Sequence, residues 1–133
     1  MIDRQRIYDK YQGRCAYTGK PLGDDWQVDH IIPRAMGGTD DEDNLVPVLS
    51  IVNHYKRCLS NQKFKTWLLA GLNERLKKLP KNPKTERGVK RKNYMLRVAD
   101  AFGITEDTPF CGKLWFEEEE NRLLKLRLKE ESE

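Results

Sequence analysis

Two histidines occur in this chain of 133 residues, His30 and His54, and both lie in its first half. A carboxylate residue, Asp29, comes directly before His30, and a carboxamide residue, Asn53, comes directly before His54. An imidazole can take a proton from water, and carboxylate and amide oxygens suit a hard cation such as Mg²⁺. Together, a base and a bound cation can hydrolyse a phosphodiester. His30, Asp29 and Asn53 are therefore the candidate catalytic residues, with Asp29 and Asn53 as metal ligands.

The choice between Asn53 and its neighbour as a metal ligand is open at this point. His54 is the alternative ligand, and adjacent residues of a helix point about 100° apart, so one ion is not expected to bind both. Asn53 could instead cap a neighbouring helical turn. Taken alone, the Asp29–His30 pair could also be an ordinary hydrogen-bonded surface pair.

Two strands and a helix are expected to position these residues. Residues 26–32 have strand propensity and end before Pro33, which a central strand would not tolerate. Residues 44–48 are typical of a short return strand, and helical spacing begins at Leu49. The expected order is strand, loop, strand, helix.

The loop between the two strands has its own pattern. Gly37 and Gly38 let the backbone turn back, and acidic residues follow them. Asn44 opens the return strand, where its side chain can hydrogen-bond across the loop and support its geometry.

These segments, in this order, resemble the HNH endonuclease family and its ββα-metal fold. They are most similar to the zinc-less HNH domains of RNA-guided CRISPR effector nucleases, over roughly residues 12–60. The segments that carry the resemblance are Cys15–Lys20, Val28–Pro33, Gly37–Gly38, Asn44–Leu45 and Asn53–Lys56.

The resemblance implies a role for each matching residue. His30 matches the general base, Asp29 and Asn53 match the ligands of one Mg²⁺ or Mn²⁺ ion, and Asn44 matches the asparagine that supports the loop. It further implies a metal-dependent DNA endonuclease that nicks DNA or cuts both strands, leaving a 5′-phosphate and a 3′-hydroxyl.

One departure from the family concerns zinc. Many members carry two Cys-x-x-Cys pairs. In this chain Thr18 occupies the position of the second cysteine of the first pair, which begins at Cys15. Leu49 and Val52 occupy the positions of the other pair. Because a tetrahedral zinc site needs four ligands, we expect no structural zinc. The three cysteines are expected to be free thiols, buried as small apolar residues. They are Cys15, Cys58 and Cys111.

Charge is distributed unevenly along the chain. The net charge is −1 over residues 1–60, +10 over residues 61–99 and −5 over residues 100–133. A basic segment of this kind can contact the phosphates of a nucleic acid, although a solvated helix face or a basic linker is the alternative. The residues expected to bind DNA are Arg34, Lys56, Arg57, Lys90, Arg91 and Lys92.

The expected class is α+β, with an HNH core over residues 1–60 and a mainly helical extension over residues 61–133 that is basic in its first half and packs on the core. A short N-terminal helix begins after Asp3, whose side chain suits an N-cap. A continuous helix is expected over residues 61–79 with Trp67 in the core, and residues 81–88 read as a linker.

Composition limits the remaining possibilities. With 35% charged residues and a mean hydropathy of −0.82, the chain has no apolar run of membrane-spanning length. No apolar signal sequence follows Met1, so we expect a cytoplasmic protein in a prokaryotic or phage setting.

The expected partner is double-stranded DNA, and a homodimer or a larger nuclease complex stays open. The rival functions are an HNH-like module that binds nucleic acid without cutting it and a subunit of a phage packaging or defence complex.

Overall fold

The computed structural model describes residues 2–132, which form two strands and a set of helices. The two short 3₁₀ turns of the loop between the strands are Arg34–Met36 and Glu42–Asn44. The remaining elements, in chain order, are α1 (Arg4–Lys10), β1 (Trp26–His30), β2 (Leu45–Leu49), α2 (Ser50–Lys56), α3 (Asn61–Lys63), a π-helical segment (Phe64–Leu69), α4 (Leu72–Lys77), α5 (Glu86–Phe102) and α6 (Trp115–Ser132).

β1 and β2 form an antiparallel two-stranded sheet, and α2 follows β2 directly. Trp26 lies opposite Leu49 and His30 opposite Leu45, so β1 ends at the candidate base. The backbone N–H of Ala16 donates to the carbonyl of Pro47 at 2.8 Å on the free edge of β2. The expected α+β class, a ββα unit followed by a mainly helical region, is confirmed.

The N-terminal helix is confirmed together with its cap. The Asp3 side chain accepts hydrogen bonds from the backbone N–H groups of Gln5 and Arg6. Ile7 is buried on the inner face of α1, and Tyr11, which follows the helix, belongs to the apolar core. Residues 15–23, whose apolar start suggests a strand and a turn, form turns with one isolated bridge between Arg14 and Pro21.

The continuous helix expected over residues 61–79 is wrong. The chain winds as a π-helix over Phe64–Leu69, where the N–H of Ala70 donates to the carbonyl of Lys65, five residues earlier. This wider turn shifts the buried stripe by one residue, so Leu69 is buried and Trp67 is 60% exposed. The expectation that Trp67 belongs to the core is therefore also wrong.

One apolar core draws on residues from both halves of the chain. Tyr17, Val48 and Val52 pack in the same cluster as Phe64 and Val98. The division of the chain at residue 60 stays a prediction.

The expected linker is shorter than residues 81–88, because α5 begins at Glu86. Thr85 caps this helix by accepting a hydrogen bond from the N–H of Gly88 at 3.0 Å, and Gly103 ends it in a left-handed conformation. Within residues 2–132, no helix combines the length and the apolar character that crossing a bilayer requires.

The three cysteines are free thiols, as expected, but they are not all buried. Cys15 is buried in the core, whereas Cys58 and Cys111 are exposed. Both exposed cysteines lie in segments between helices.

Candidate active site

Asp29 lies at the interface between β1 and α2, where two side chains bind one of its carboxylate oxygens. Lys56 Nζ donates to Asp29 Oδ2 at 2.8 Å, and the hydroxyl of Tyr17 donates to the same oxygen at 2.5 Å. The side chain of Lys56 is 1% exposed and that of Asp29 is 12% exposed. The expectation that Lys56 contacts a DNA phosphate is therefore wrong, because its ammonium group is buried in an ion pair.

The hydroxyl of Tyr17 keeps its proton in this environment. Burial and then the negative charge of Asp29 raise the pKa of Tyr17 well above its usual value. Tyr17 therefore donates to Asp29 across the physiological pH range, and Lys56 supplies the positive charge that balances the carboxylate.

Asn53 of α2 contacts β1, the strand that carries Asp29. Its Nδ2 donates to Gln27 Oε1 at 2.6 Å, and Gln27 and Asp29 share one face of β1 because strand side chains alternate. Asn53 and Lys56 are three residues apart and therefore share one face of α2. The two predicted metal ligands thus lie at one strand–helix interface.

The alternative ligand, His54, points to another part of the molecule. Its ring packs edge-to-face against Tyr94 of α5, with the ring centroids 5.7 Å apart. Asn53 and not His54 contacts β1, so His54 is not retained as a candidate ligand.

His30 ends β1 and contacts the loop rather than α2. Its Nε2 lies 2.8 Å from Asp40 Oδ1, and Arg34 donates to both carboxylate oxygens of Asp40. The His30 side chain is 18% exposed, so the ring is mostly covered but reachable from solvent.

The ionised state of Asp40 decides which imidazole nitrogen is free. Hydrogen bonds from His30 and then Arg34 lower the pKa of the Asp40 carboxyl group. An ionised carboxylate only accepts hydrogen bonds, so His30 Nε2 carries the proton that it donates. In the neutral imidazole, Nδ1 then keeps its lone pair and can accept a proton.

Asn44 connects the two ends of the loop that follows His30. Its Oδ1 accepts from the N–H of Ile32 at 2.8 Å, and its Nδ2 donates to the carbonyls of Ile32 at 3.1 Å and Thr39 at 2.8 Å. A single side chain thus fixes the residues after β1 against the end of the loop.

Gly38 lets the same loop close tightly, and a side chain there would not fit. A Cβ atom at Gly38 would lie 1.6 Å from the backbone carbonyl oxygen of Ile32. The N–H of Gly38 also donates to the carbonyl of Pro33 at 3.0 Å. The backbone therefore needs glycine at position 38 for steric reasons.

We expect Gly38→Ala to open this loop and to destabilise the protein by about 1–3 kcal/mol, because the new methyl group must displace backbone atoms. Urea unfolding measures the loss. Gly37→Ala is the matched control: no atom lies near its Cβ position, and its φ of 91° adds only backbone strain. Equal stability of Gly38→Ala and the wild-type protein would contradict the tight closure.

The other residues predicted to bind DNA have different surroundings. Arg34 is paired with Asp40, Lys90 forms an exposed ion pair with Glu86, and Lys92 donates to the carbonyl of Lys81. Arg57 and Arg91 are exposed and form no ion pair within residues 2–132.

The free oxygen atoms at the β1–α2 interface are of the chemical types that Mg²⁺ prefers. Asp29 Oδ1 and Asn53 Oδ1 accept no hydrogen bond from the described part of the chain, which leaves a carboxylate oxygen and an amide oxygen as donors. Mg²⁺ is bound in this way by few protein oxygens and completes its shell with water. No group of three or more His, Cys, Asp or Glu residues within residues 2–132 forms a metal site by itself.

Sequence reasoning missed three residues of this site: Tyr17, Gln27 and Asp40. Gln27 could have been found, because it lies two residues before Asp29 and therefore on the same strand face. Tyr17 and Asp40 carry no comparable signal, since their contacts depend on how two loops fold back on β1.

The comparisons with known proteins concern this part of the chain. Residues 13–50 match the family described as HNH endonuclease, a range that contains Asp29, His30 and Asn44 but ends before Asn53. Over 45 residues the chain is 48% identical to "Probable mobile endonuclease E" of Enterobacteria phage T4. That match covers 34% of this chain and 31% of the phage protein, so the chain spans about a third of that relative's length. No solved structure matches the chain significantly.

Proposed function

We propose that the protein is a metal-dependent DNA endonuclease that hydrolyses phosphodiester bonds, on the premise that residues 13–50 match the HNH endonuclease family. One observation carries the proposal. Asp29 and Asn53 lie at a single strand–helix interface, because Asp29 binds Lys56 of α2 and Asn53 binds Gln27 of β1. His30 follows Asp29 at the end of the same strand.

The proposed base is Nδ1 of His30. Asp40 accepts the proton of Nε2 and so fixes the tautomer that leaves Nδ1 able to take a proton from water. Asn44 and Gly38 keep the loop that carries Asp40 closed over the end of β1. The loop therefore orients the base, and general base catalysis is worth about 10²–10⁴-fold in rate.

Asp29 and Asn53 are the residues that would hold one divalent ion, Mg²⁺ in our proposal with Mn²⁺ as its substitute. Such an ion, when bound, supplies positive charge for the scissile phosphate and for the departing sugar oxygen. Lys56 and Tyr17 fix the Asp29 carboxylate through Oδ2, and Oδ1 is left for the ion. Gln27 orients the Asn53 amide in the same way, because it accepts from Nδ2 and leaves Oδ1 free.

Cleavage of supercoiled, linear and single-stranded DNA with Mg²⁺, compared with the same reactions in EDTA, tests the proposed function. We expect metal-dependent conversion of supercoiled DNA to nicked or linear products, and none in EDTA. DNA that is bound but never cut in Mg²⁺ or Mn²⁺ would instead assign the chain to a nucleic-acid-binding module.

A further inference from the structure

A cleft of about 500 Å³ opens beside the end of α2, and His54 is part of its lining. Residues from the end of α2, from α4 and from α5 line it, including Tyr55, Arg57, Arg75, Arg91 and Tyr94. Its volume lies in the range of about 300–1,000 Å³ that is typical of small-molecule sites. The proposed active site uses none of these five residues.

All of the charged side chains that line the cleft are basic. Its lining includes three arginines and Lys56 but no aspartate or glutamate. Lys56 is bound to Asp29, and Arg75 donates to the Tyr55 hydroxyl and to the Leu68 carbonyl. Arg57 and Arg91 form no ion pair and no side-chain hydrogen bond within residues 2–132, so two guanidinium groups are left for an anionic ligand.

Arg57 occupies a backbone conformation that favours glycine. Its φ is 57° and its ψ is −134°, and its N–H donates to the carbonyl of Asn53 to end α2. Glycine would fit this position without strain, whereas the arginine keeps a side chain at the mouth of the cleft. Strained residues of this kind are concentrated at functional sites.

Aromatic rings form the wall beside these cations. Tyr55 and Tyr94 pack edge-to-face with their centroids 6.1 Å apart, and both are half-buried. Burial and then the neighbouring Tyr55 raise the pKa of Tyr94, while the positive charge of Arg57 opposes that rise. Aromatic surface next to unpaired arginines suits a base linked to a phosphate.

The cleft is also close to the proposed active site along α2. Asn53 faces β1, and Arg57 lies one turn later, about 6 Å along the helix axis. A DNA strand that passes Asp29 and Asn53 can therefore reach the cleft within a short stretch of nucleotides.

We propose that this cleft binds one unpaired nucleotide of the DNA strand, with its phosphate at Arg57 and Arg91 and its base against Tyr94. A blunt duplex has no base to offer, because its bases stay stacked and paired. The proposal rests on DNA being the substrate, and it predicts a preference for DNA with an unpaired nucleotide next to the cleavage site.

Fluorescence anisotropy in EDTA tests the cleft without cleavage. The probes are a labelled blunt duplex and the same duplex with a short single-stranded gap. We expect the gapped duplex to bind about 5–150-fold more tightly, the range that base stacking on aromatic side chains provides. Equal affinity for the two duplexes would overturn the proposal.

Two variants separate the cleft from general effects on folding. Arg57→Gly removes the guanidinium and relieves the backbone strain, and Tyr94→Leu removes the aromatic surface. Both should lose the preference for gapped over blunt DNA, whereas Arg97→Ala, a charge removal on the exposed face of α5 outside the cleft, should keep the preference. An unchanged preference in Arg57→Gly and Tyr94→Leu would overturn the proposal.

A free nucleotide carries the same phosphate and base as a nucleotide of a DNA strand and could bind the cleft in its place. Thymidine monophosphate that binds as tightly as gapped DNA would overturn the assignment to a strand. The cleft and the proposed function fail separately: cleavage in Mg²⁺ without any preference for gapped DNA rejects the cleft, and a preference without cleavage rejects the nuclease.

Discussion

The variant His30→Ala should cleave DNA about 10²–10⁴-fold more slowly than the wild-type protein, because it lacks the base that deprotonates water. Its affinity for DNA in EDTA should be unchanged, since His30 contacts Asp40 and not the basic cleft. Single-turnover cleavage with Mg²⁺ measures the rate, and anisotropy measures the affinity.

Asp40→Asn is the matched control for the role of the loop. It keeps the imidazole but no longer fixes the proton on Nε2, so we expect a smaller loss of cleavage rate than in His30→Ala. Wild-type cleavage by His30→Ala would show that another group activates the water, and the assignment of the base would be wrong.

The second large effect is expected on stability. Lys56→Met keeps most of the aliphatic volume but removes the charge that balances Asp29 in a nearly dry interface. Removing one partner of a buried ion pair costs about 3–5 kcal/mol, because the other charge stays buried without compensation. Urea unfolding should show that loss.

Two further variants identify the cause of the stability loss in Lys56→Met. In Lys56→Met combined with Asp29→Asn, the uncompensated charge is gone, so part of the lost stability should return. Lys90→Met breaks an ion pair whose side chains are 77% and 85% exposed, and it should change stability little. If Lys56→Met and Lys90→Met have equal effects, the Lys56–Asp29 pair does not stabilise the fold as described.

The short helix α2 contributes residues both to the interface with β1 and to the cleft. The Asn53 amide and the Lys56 ammonium group bind side chains of β1, whereas His54 and Arg57 line the cleft toward α5. The sequence already indicated that Asn53 and His54 could not share one ion, because adjacent helical residues diverge. Only the packing of α2 between β1 and α5 decides which of them faces the strand.

The strands could be predicted because their signals are local. Val28 and Ile31 indicate a strand, Pro33 limits its length, and Pro47 is tolerated where a strand has a free edge. The π-helical segment could not be predicted in this way, because the three-four spacing through Trp67 is equally that of an ordinary helix. The buried position of Leu69 depends on contacts with residues far away in the chain.

Lys56 illustrates the same limit at the site. A lysine near a candidate catalytic residue is usually solvated, and its charge suggested a phosphate contact. Its burial follows from the antiparallel register, which places Asp29 beneath the last turn of α2, and from Tyr17, which completes the hydrogen bonds of that carboxylate.

We propose that this protein cleaves DNA by hydrolysis in which water supplies the new oxygen atom on phosphorus. Cleavage in water enriched in the heavy oxygen isotope, followed by mass spectrometry of the product ends, tests it most directly. We expect one heavy oxygen atom in the 5′-phosphate and none in the 3′-hydroxyl. Cut DNA whose 5′-phosphate carries no label would contradict it.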